Sequence, residues 1–347
     1  MALVRGEVEA FLDDTPGEIR GVIARDGRFE RLIIQREDDP PQFRLGARCV
    51  GRVMDVEAGY RAAFVDLGVE NAPGFLALPR DKTLREGDRI EVEVVAEPRE
   101  RKGPALRLIG PGQGAPRLLT PGPDVVTLLA ELAPGVEIQT GLAAIQASWD
   151  AEEEALGFGD FFAESGVDLA VQRTRALIAV DIDYAHLPGK DAKTGRERAN
   201  REGLVQAARL IRLKSWGGLV AVDLVGANLN ADVVNPLARA AFAGDEAVFG
   251  PLSRFGLLQL ALPWRRTPIE DKLNDWDRKP SALTRAVDLT RRLRHAILSD
   301  TTAPRFTAVC APQEARAAAP FIARLGPRAA LRPDPTVAQG WSDIVET

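Results

Sequence analysis

Leu177-Ile178-Ala179-Val180-Asp181 and Leu219-Val220-Ala221-Val222-Asp223 are two apolar runs that each end in an aspartate, and the fold turns on how they are read. A continuous apolar run of this length fits a strand buried on both faces of a mostly parallel sheet. Between them, Arg196 to Lys214 carries Leu204, Ala208 and Ile211 at helical spacing with charged residues opposite, and Gly217-Gly218 stops the helix. Strand, helix, strand is a crossover unit, which brings the C-terminal ends of two parallel strands to one edge of the sheet. Ligands of open α/β sheets bind outside such ends, and two carboxylates there form an oxygen-rich site suited to Mg²⁺ or Mn²⁺. Asp183 follows Asp181 by two residues, so on an extended chain it points to the same side. Acids that converge in this way repel one another unless a cation neutralises them. The competing reading of each aspartate is a turn-former or a helix cap.

Composition narrows the class. A chain of 347 residues holds two or three domains with proper cores, and 45% apolar residues with mixed charge describe a soluble, globular protein. No apolar run reaches the roughly eighteen residues of a membrane span, and Met1 to Gly6 lacks the order of a secretory signal, so the expected address is the cytoplasm. Cys49 and Cys310 are too few for a disulfide framework or a zinc site, and both sit in apolar, strand-like runs as small buried hydrophobes. A net charge of −5 argues against nonspecific clinging to nucleic acid without excluding it as a substrate. His186 and His295, the only histidines, cannot furnish a histidine-based catalytic set, which leaves carboxylates and metal.

The rest of the chain predicts a multidomain protein of α/β and β parts. Residues 1–42 contain a hairpin, Glu18 to Ala24 and Phe29 to Arg36, turning at Asp26-Gly27 and too small to carry its own core. Residues 43–110 hold five short strands: Cys49 to Val56, Arg61 to Leu67, Gly74 to Leu78, Arg89 to Glu97 and Ala105 to Ile109. That pattern suits an OB-type barrel, a fold that binds single-stranded nucleic acid with strand-face aromatics and surrounding basic residues. Phe64 and Phe75 are the candidate stacking platforms, unless they fill the barrel interior, with Arg52, Arg61 and Lys102 as phosphate partners. Residues 111–165 read as a Gly- and Pro-rich linker followed by a helix at Val125 to Leu132 and an acidic stretch without an assignable fold. An α/β domain occupies 166–347: a hairpin feeds its central sheet, and further pieces are a helix at Ala231 to Phe242 and a strand at Gly256 to Leu262. A helix opens at Pro280-Ser281 with Arg285, Arg291, Arg292 and His295 on its solvated face, and the last strands, Ala329 to Leu331 and Ile344 to Glu346, close the sheet.

These residues resemble the ribonuclease E/G endoribonucleases. Arg61-Ala62-Ala63-Phe64-Val65-Asp66-Leu67-Gly68, then Gly74-Phe75-Leu76 and Lys102-Gly103-Pro104-Ala105-Leu106, look like the family's RNA-binding OB barrel of the ribosomal-protein type. The Glu18 to Gln35 hairpin is similar to the N-terminal segment that joins an RNase H-like subdomain. Ala179-Val180-Asp181-Ile182-Asp183, Asn200-Arg201-Glu202, Ala208 to Lys214 and Gly217 to Asp223 follow the order and spacing of the family's DNase I-like catalytic domain. The resemblance implies that Asp181 and Asp223 hold Mg²⁺, with Mn²⁺ as a substitute, and that a metal-bound water attacks an RNA phosphodiester to leave 5′-phosphate and 3′-hydroxyl ends. Asn200 and Glu202 match family positions that support the site.

Departures from the family pattern shape the expectation. Asp183 stands where the family has an asparagine that donates a hydrogen bond, which an ionised carboxylate cannot do. Gln259 replaces a glutamate, and Arg265-Arg266 after it are phosphate-contact candidates or solvated surface. The paired cysteines that share zinc between subunits have no counterpart, so no zinc is expected, and the oligomer is a monomer or homodimer rather than a zinc-linked tetramer. The pocket that reads a 5′ monophosphate is not recognisable, so cleavage is expected not to depend strongly on the 5′ end. His186 and Lys190, in the loop after Asp183, are candidates for substrate contact or for exposed loop. The leading reading is a Mg²⁺-dependent endoribonuclease for single-stranded RNA, with Asp181, Asp223 and Asp183 as its catalytic acids. Its competitor is an RNA-binding protein on the same scaffold with little catalysis, acting on ribosomal RNA or the ribosome. A nuclease for DNA rests on the fold alone.

Overall fold

The structure is a computed structural model that describes residues 6–70, 73–78, 83–100, 102–185, 192–226 and 229–347. Its contacts divide the chain into two compact units, Met1–Glu152 with Thr267–Thr347, and Glu153–Arg266. Residues 267–347 therefore group with the N-terminal part, whereas the sequence reading placed them in one domain with 166–266.

The first unit starts with β1 (Val8–Asp13), β2 (Glu18–Arg25) and β3 (Arg28–Arg36), an antiparallel meander. Asp26 and Gly27 join the last two with φ of +52° and +71°, the two left-handed residues that a tight hairpin turn needs. Six strands follow: β4 (Arg48–Glu57), β5 (Ala62–Asp66), β6 (Gly74–Ala77), β7 (Arg89–Ala96), β8 (Ala105–Pro111) and β9 (Arg117–Thr120). β4 pairs with both β5 and β7, and the parallel pair β6–β8 completes a closed ring in the order β4-β5-β6-β8-β7. Alternation drives closure: Ala63, Val65, Leu76, Val92, Val94 and Leu106 point inward and are buried. The segment read as a linker contains β9, which pairs with β4. Its brevity between prolines hid it from a pattern search.

Next come α1 (Val125–Leu132), capped by Asp124, the short β10 (Ile138–Gln139) and α2 (Leu142–Leu156). β10 pairs parallel to β1, giving a four-stranded sheet in the order β10-β1-β2-β3. The N-terminal hairpin thus gains two strands that the sequence reading did not supply. α1 covers one sheet face through Val125, Leu128 and Leu129 against Ala10, Ile23 and Ile33. It approaches so closely that a Cβ on Gly21 would lie 2.6 Å from Val125 Cγ1.

The second unit holds β11 (Gly159–Phe162), β12 (Val167–Arg173), β13 (Ile178–Tyr184), α3 (Ala192–Leu213), β14 (Gly218–Asp223), α4 (Ala231–Ala241), β15 (Val248–Phe249) and β16 (Leu258–Leu262). They form one sheet in the order β11-β12-β13-β14-β16-β15, in which only β13–β14 is parallel. This corrects the expectation of a mostly parallel sheet. It also corrects the expectation of strands covered on both faces. Ile178, Val180 and Ile182 are buried, while Ala179, Asp181 and Asp183 are exposed. Alanine at outward positions 179 and 221 reads as apolar in sequence and hides the alternation.

The chain returns to the first unit with α5 (Ile269–Leu273), α6 (Ala282–Ser299), β17 (Phe306–Cys310), α7 (Pro312–Ile322), β18 (Ala329–Pro333) and β19 (Ser342–Glu346). Ser281 caps α6 by accepting from Thr284 N–H at 3.1 Å. The last strands make a separate three-stranded sheet, β18-β17-β19, instead of closing the central one. Cys49 and Cys310 are free and buried, and burial pushes the Cys49 thiol up to about 11. Among the described residues no helix is long and apolar enough to cross a membrane.

Ion pairs tie α6 to the N-terminal sheet. Arg291, expected on a solvated helix face, is fully buried: Nε donates to Asp13 Oδ2 at 2.5 Å and a second nitrogen reaches Glu18 Oε1 at 3.1 Å. Its counter-charges lie far away in sequence, which is why a local stripe could not place it. His295 is half-buried, with its ring 5.1 Å from that of Trp149. Glu18 also accepts from Arg20 at 2.6 Å and Arg36 at 2.8 Å. Burial pushes the Glu18 carboxyl up, but the Arg20, Arg291 and Arg36 guanidiniums outweigh it and hold the group well below the ordinary carboxylate range. Asp13 shifts in the same direction, burial again being outweighed by Arg291 and its hydrogen bonds.

Arg291→Ala should destabilise this unit by about 3–5 kcal/mol in denaturant unfolding, because it strands buried carboxylates without a partner. A folded-state pKa below the unfolded value contributes stability that is complete above the unfolded carboxylate range and is lost as pH falls toward the folded value. Unfolding followed from pH 7 downward should therefore lose stability below roughly pH 4–5, and Glu18→Gln should flatten that loss.

Candidate active site

The acid-bearing face is built by strand register. Parallel pairing sets Asp181 directly opposite Asp223, and antiparallel pairing sets Asp168 opposite Asp183 and Ala170 opposite Asp181. Adjacent strands are about 4.8 Å apart, so all four carboxylates crowd one patch of the sheet. All four residues are exposed. Partial burial and the charges of Asp223, Asp183 and Asp168 push the Asp181 carboxyl above its ordinary value. The aspartates lie on the sheet face, near its C-terminal end, where the sequence reading had put them beyond the edge.

The opposite face is closed by α3. Ile182, Val180 and Leu169 are buried there, and a Cβ on Gly203 would lie 2.5 Å from Ile182 Cγ2, so only glycine lets the helix approach this strand. Asn200 sits inside α3, where it caps nothing. Its Nδ2 donates to Val225 O at 3.0 Å and its Oδ1 accepts from Val225 N–H at 2.8 Å. That reciprocal pair fixes the backbone two residues beyond Asp223. Glu202 accepts from Gln206 at 2.9 Å, and Gln206 accepts from Arg209, whose guanidinium lies 2.6 Å from Glu154. It belongs to a chain of contacts along α3 rather than to the acid patch. Lys214, fully buried, donates to Ala155 O at 2.6 Å in the last turn of α2 and to Gly157 O at 2.5 Å just after it.

Asp183 accepts from Tyr184 N–H at 2.7 Å. Gln259 pairs with Ala221, which places a neutral amide on the acid face beside the row that contains Asp223. Arg265 pairs with Glu246 at 2.6 Å, and Arg266 is half-buried. On the barrel, Phe64 and Phe75 are cross-strand partners whose rings meet edge to face at 6.0 Å, and both point outward, with Phe75 41% exposed. Their outward position removes the interior-packing alternative. Arg52, Arg61 and Lys102 are exposed. His186 and Lys190 lie outside the described residues.

Sequence reasoning missed Asp168, although period-two alternation in Val167-Asp168-Leu169-Ala170-Val171 carried the signal. It also missed Arg254 and Phe255, both exposed, in the turn leading into β16 at the Asp223 end of β14. Ser253 Oγ shapes that turn by accepting from Phe255 N–H at 3.3 Å and Leu257 N–H at 3.0 Å.

Among the described residues no three His, Cys, Asp or Glu side chains converge to hold a metal ion unaided. Mg²⁺ does not need them, since it keeps several waters and takes one or two carboxylates plus substrate phosphates. Asp181 and Asp223 offer hard oxygen donors on neighbouring strands; burial and then the neighbouring acids push the Asp181 carboxyl up, and a cation between the two would relieve the repulsive part.

Comparison with known proteins places this stretch. The ribonuclease E/G family model matches residues 159–263. Ribonuclease E of Buchnera aphidicola subsp. Schizaphis graminum is 29% identical over 102 residues, which are 28% of this chain and 10% of that protein. The match therefore spans about a tenth of the relative and coincides with the acid-bearing unit.

Asn200→Ala should destabilise the second unit by about 1–3 kcal/mol, because Val225 N–H and C=O lose their partners in a part-buried setting. Urea dependence of amide hydrogen exchange in residues 153–266 checks this.

Proposed function

We propose that this chain is a ribonuclease of the E/G type, a divalent-metal-dependent endoribonuclease for single-stranded RNA, a reading supported by the family model's match to residues 159–263. The observation that carries the reading is the register pair Asp181↔Asp223, which lies inside the family-matched stretch and puts two carboxylates on an open sheet face. Those two residues would hold the cation, and Asp183 and Asp168 supply further negative charge beside it. Bound there, Mg²⁺ or Mn²⁺ would lower the pKa of a water and neutralise charge on the phosphate oxygens. The chain's own part is to fix the spacing of the two acids, which Asn200 and the α3 packing do from the far face. Products would carry 5′-phosphate and 3′-hydroxyl ends.

The barrel supports the RNA side of the reading. Its cyclic strand order and parallel closing pair fit an OB-type barrel, and the outward Phe64–Phe75 pair offers stacking surface with Lys102, Arg52 and Arg61 as phosphate partners. The antiparallel meander with β10 parallel to β1 supports an RNase H-like reading of the N-terminal sheet. Arg265 and Arg266 are weaker candidates for phosphate contact, since Arg265 already pairs with Glu246.

A second reading, an RNA-binding protein with little catalysis, draws on Asp183 in place of an asparagine and on the neutral Gln259 beside the acids, with the Phe64–Phe75 pair as the surface that would stack on RNA bases. One assay separates the two. Cleavage of a labelled, AU-rich single-stranded RNA in Mg²⁺ should stop in EDTA and fall about a hundredfold or more in Asp181→Asn and Asp223→Asn. Tight binding with no cutting in Mg²⁺ or Mn²⁺ would favour the binder. A 5′-monophosphate RNA and its 5′-hydroxyl counterpart should be cut at similar rates, and a large preference for the monophosphate would contradict that expectation.

A further inference from the structure

Phe161 stands in the same cross-strand row as two of the acids. β11 pairs Phe161 with Asp168, and β12 pairs Asp168 with Asp183, so the three side chains leave the same face of the sheet. The neighbouring Phe162 faces the other way and is 6% exposed, whereas Phe161 is 55% exposed. The next row along reads Gly159, Ala170, Asp181, Asp223, and the one after contains Ala179 and Ala221. Gly159 and Ala170 thus leave little side chain between the aromatic ring and Asp181, while Gln172 and Gln259 flank the Ala179–Ala221 pair.

Phe161 leaves more than half of its surface open on an edge strand, and its ring offers a stacking surface to any base. Side chains of directly paired residues start about 5 Å apart, so the Asp168 carboxylate lies within reach of the edge of a base resting on the ring. An ionised carboxylate only accepts hydrogen bonds. Guanine presents adjacent N–H donors on its Watson–Crick edge, while uracil presents one donor between two carbonyls that a carboxylate repels. Phe161 lies two strands from Asp181 and one row away, roughly 12 Å by strand spacing and rise. The base it holds thus belongs to a nucleotide near the reacting phosphate, not at it.

We propose that Phe161 and Asp168 form a base subsite on the acid-bearing face, with Phe161 stacking on a base of the RNA strand and Asp168 selecting guanine over uracil. The proposal rests on the nuclease reading of Asp181 and Asp223 for its location and assigns a sequence preference to the same site.

The test measures binding of labelled heptanucleotides to the full-length chain in Mg²⁺ by fluorescence anisotropy, with the uncut fraction quantified in the same samples. One RNA is all uracil, and the others carry guanine at a single, successive position. Phe161→Ala should weaken binding by about fivefold or more and Phe161→Trp should restore it. Guanine at one position should tighten binding relative to uracil, and Asp168→Asn should abolish that difference. Unchanged thermal unfolding of the Phe161 variants would assign any loss to the interface. Phe161→Ala binding every RNA within about twofold of the wild type, against the stacking range, would overturn the proposal. A uniform loss without guanine preference would overturn the role of Asp168. Because these readouts do not require cutting, they stay decisive if Asp181→Asn and Asp223→Asn cleave like the wild type, a result that would move the nuclease site elsewhere.

Discussion

The parallel pairing of β13 with β14, which sets Asp181 opposite Asp223, is the constraint on which the acid-bearing unit depends. Like charges on neighbouring strands repel, so the sheet alone would favour a different neighbour at that position. What holds the register lies on the other face. Ile178, Val180 and Ile182 alternate with the exposed residues, and a one-residue slip would expose them and bury the acids against α3. Gly203 lets α3 seat tightly on this strand, and Asn200 clamps the chain just beyond Asp223. Apolar packing on one face thus holds an electrostatically unfavourable arrangement on the other, one whose repulsion a bound cation would relieve.

The first unit meets a different requirement, that of joining segments far apart in sequence. Its N-terminal sheet has one apolar face, covered by α1, and one charged face, where Glu18 and Arg20 meet Arg291 of α6 and Glu152 of α2. A charge buried in this way is tolerated only when every partner is present. The network therefore makes residues after 267 obligatory companions of residues before 152, and it gives the unit its discontinuous course.

Much of the architecture was legible because it is local. The Asp26-Gly27 hairpin, all five barrel strands, the α3 crossover and the Ser281 cap each carry their signal within a few residues. The strand ends that carry Asp181 and Asp223 were legible for the same reason, whereas the outward position of Phe64 and Phe75 was settled only by the barrel's register. Long-range features were not. Arg291 looked solvated because its counter-charges lie in β1 and β2, and β9 and β10 are too short to announce themselves. Half-burial of β13 and β14 was concealed by Ala179 and Ala221, and with it the fact that Asp168 and Phe161 share the acid face. Register converts a pattern along one strand into a patch across four, and register is fixed by tertiary packing.

The central claim is that Asp181 and Asp223 together form a divalent-cation site. Titration of the full-length chain with Mn²⁺, followed by the loss of the free-ion electron paramagnetic resonance signal, tests it without reference to any substrate. The account predicts a bound Mn²⁺ that Mg²⁺ displaces and that disappears in both Asp181→Asn and Asp223→Asn. Mn²⁺ binding of equal strength in the wild type and in both variants would contradict it.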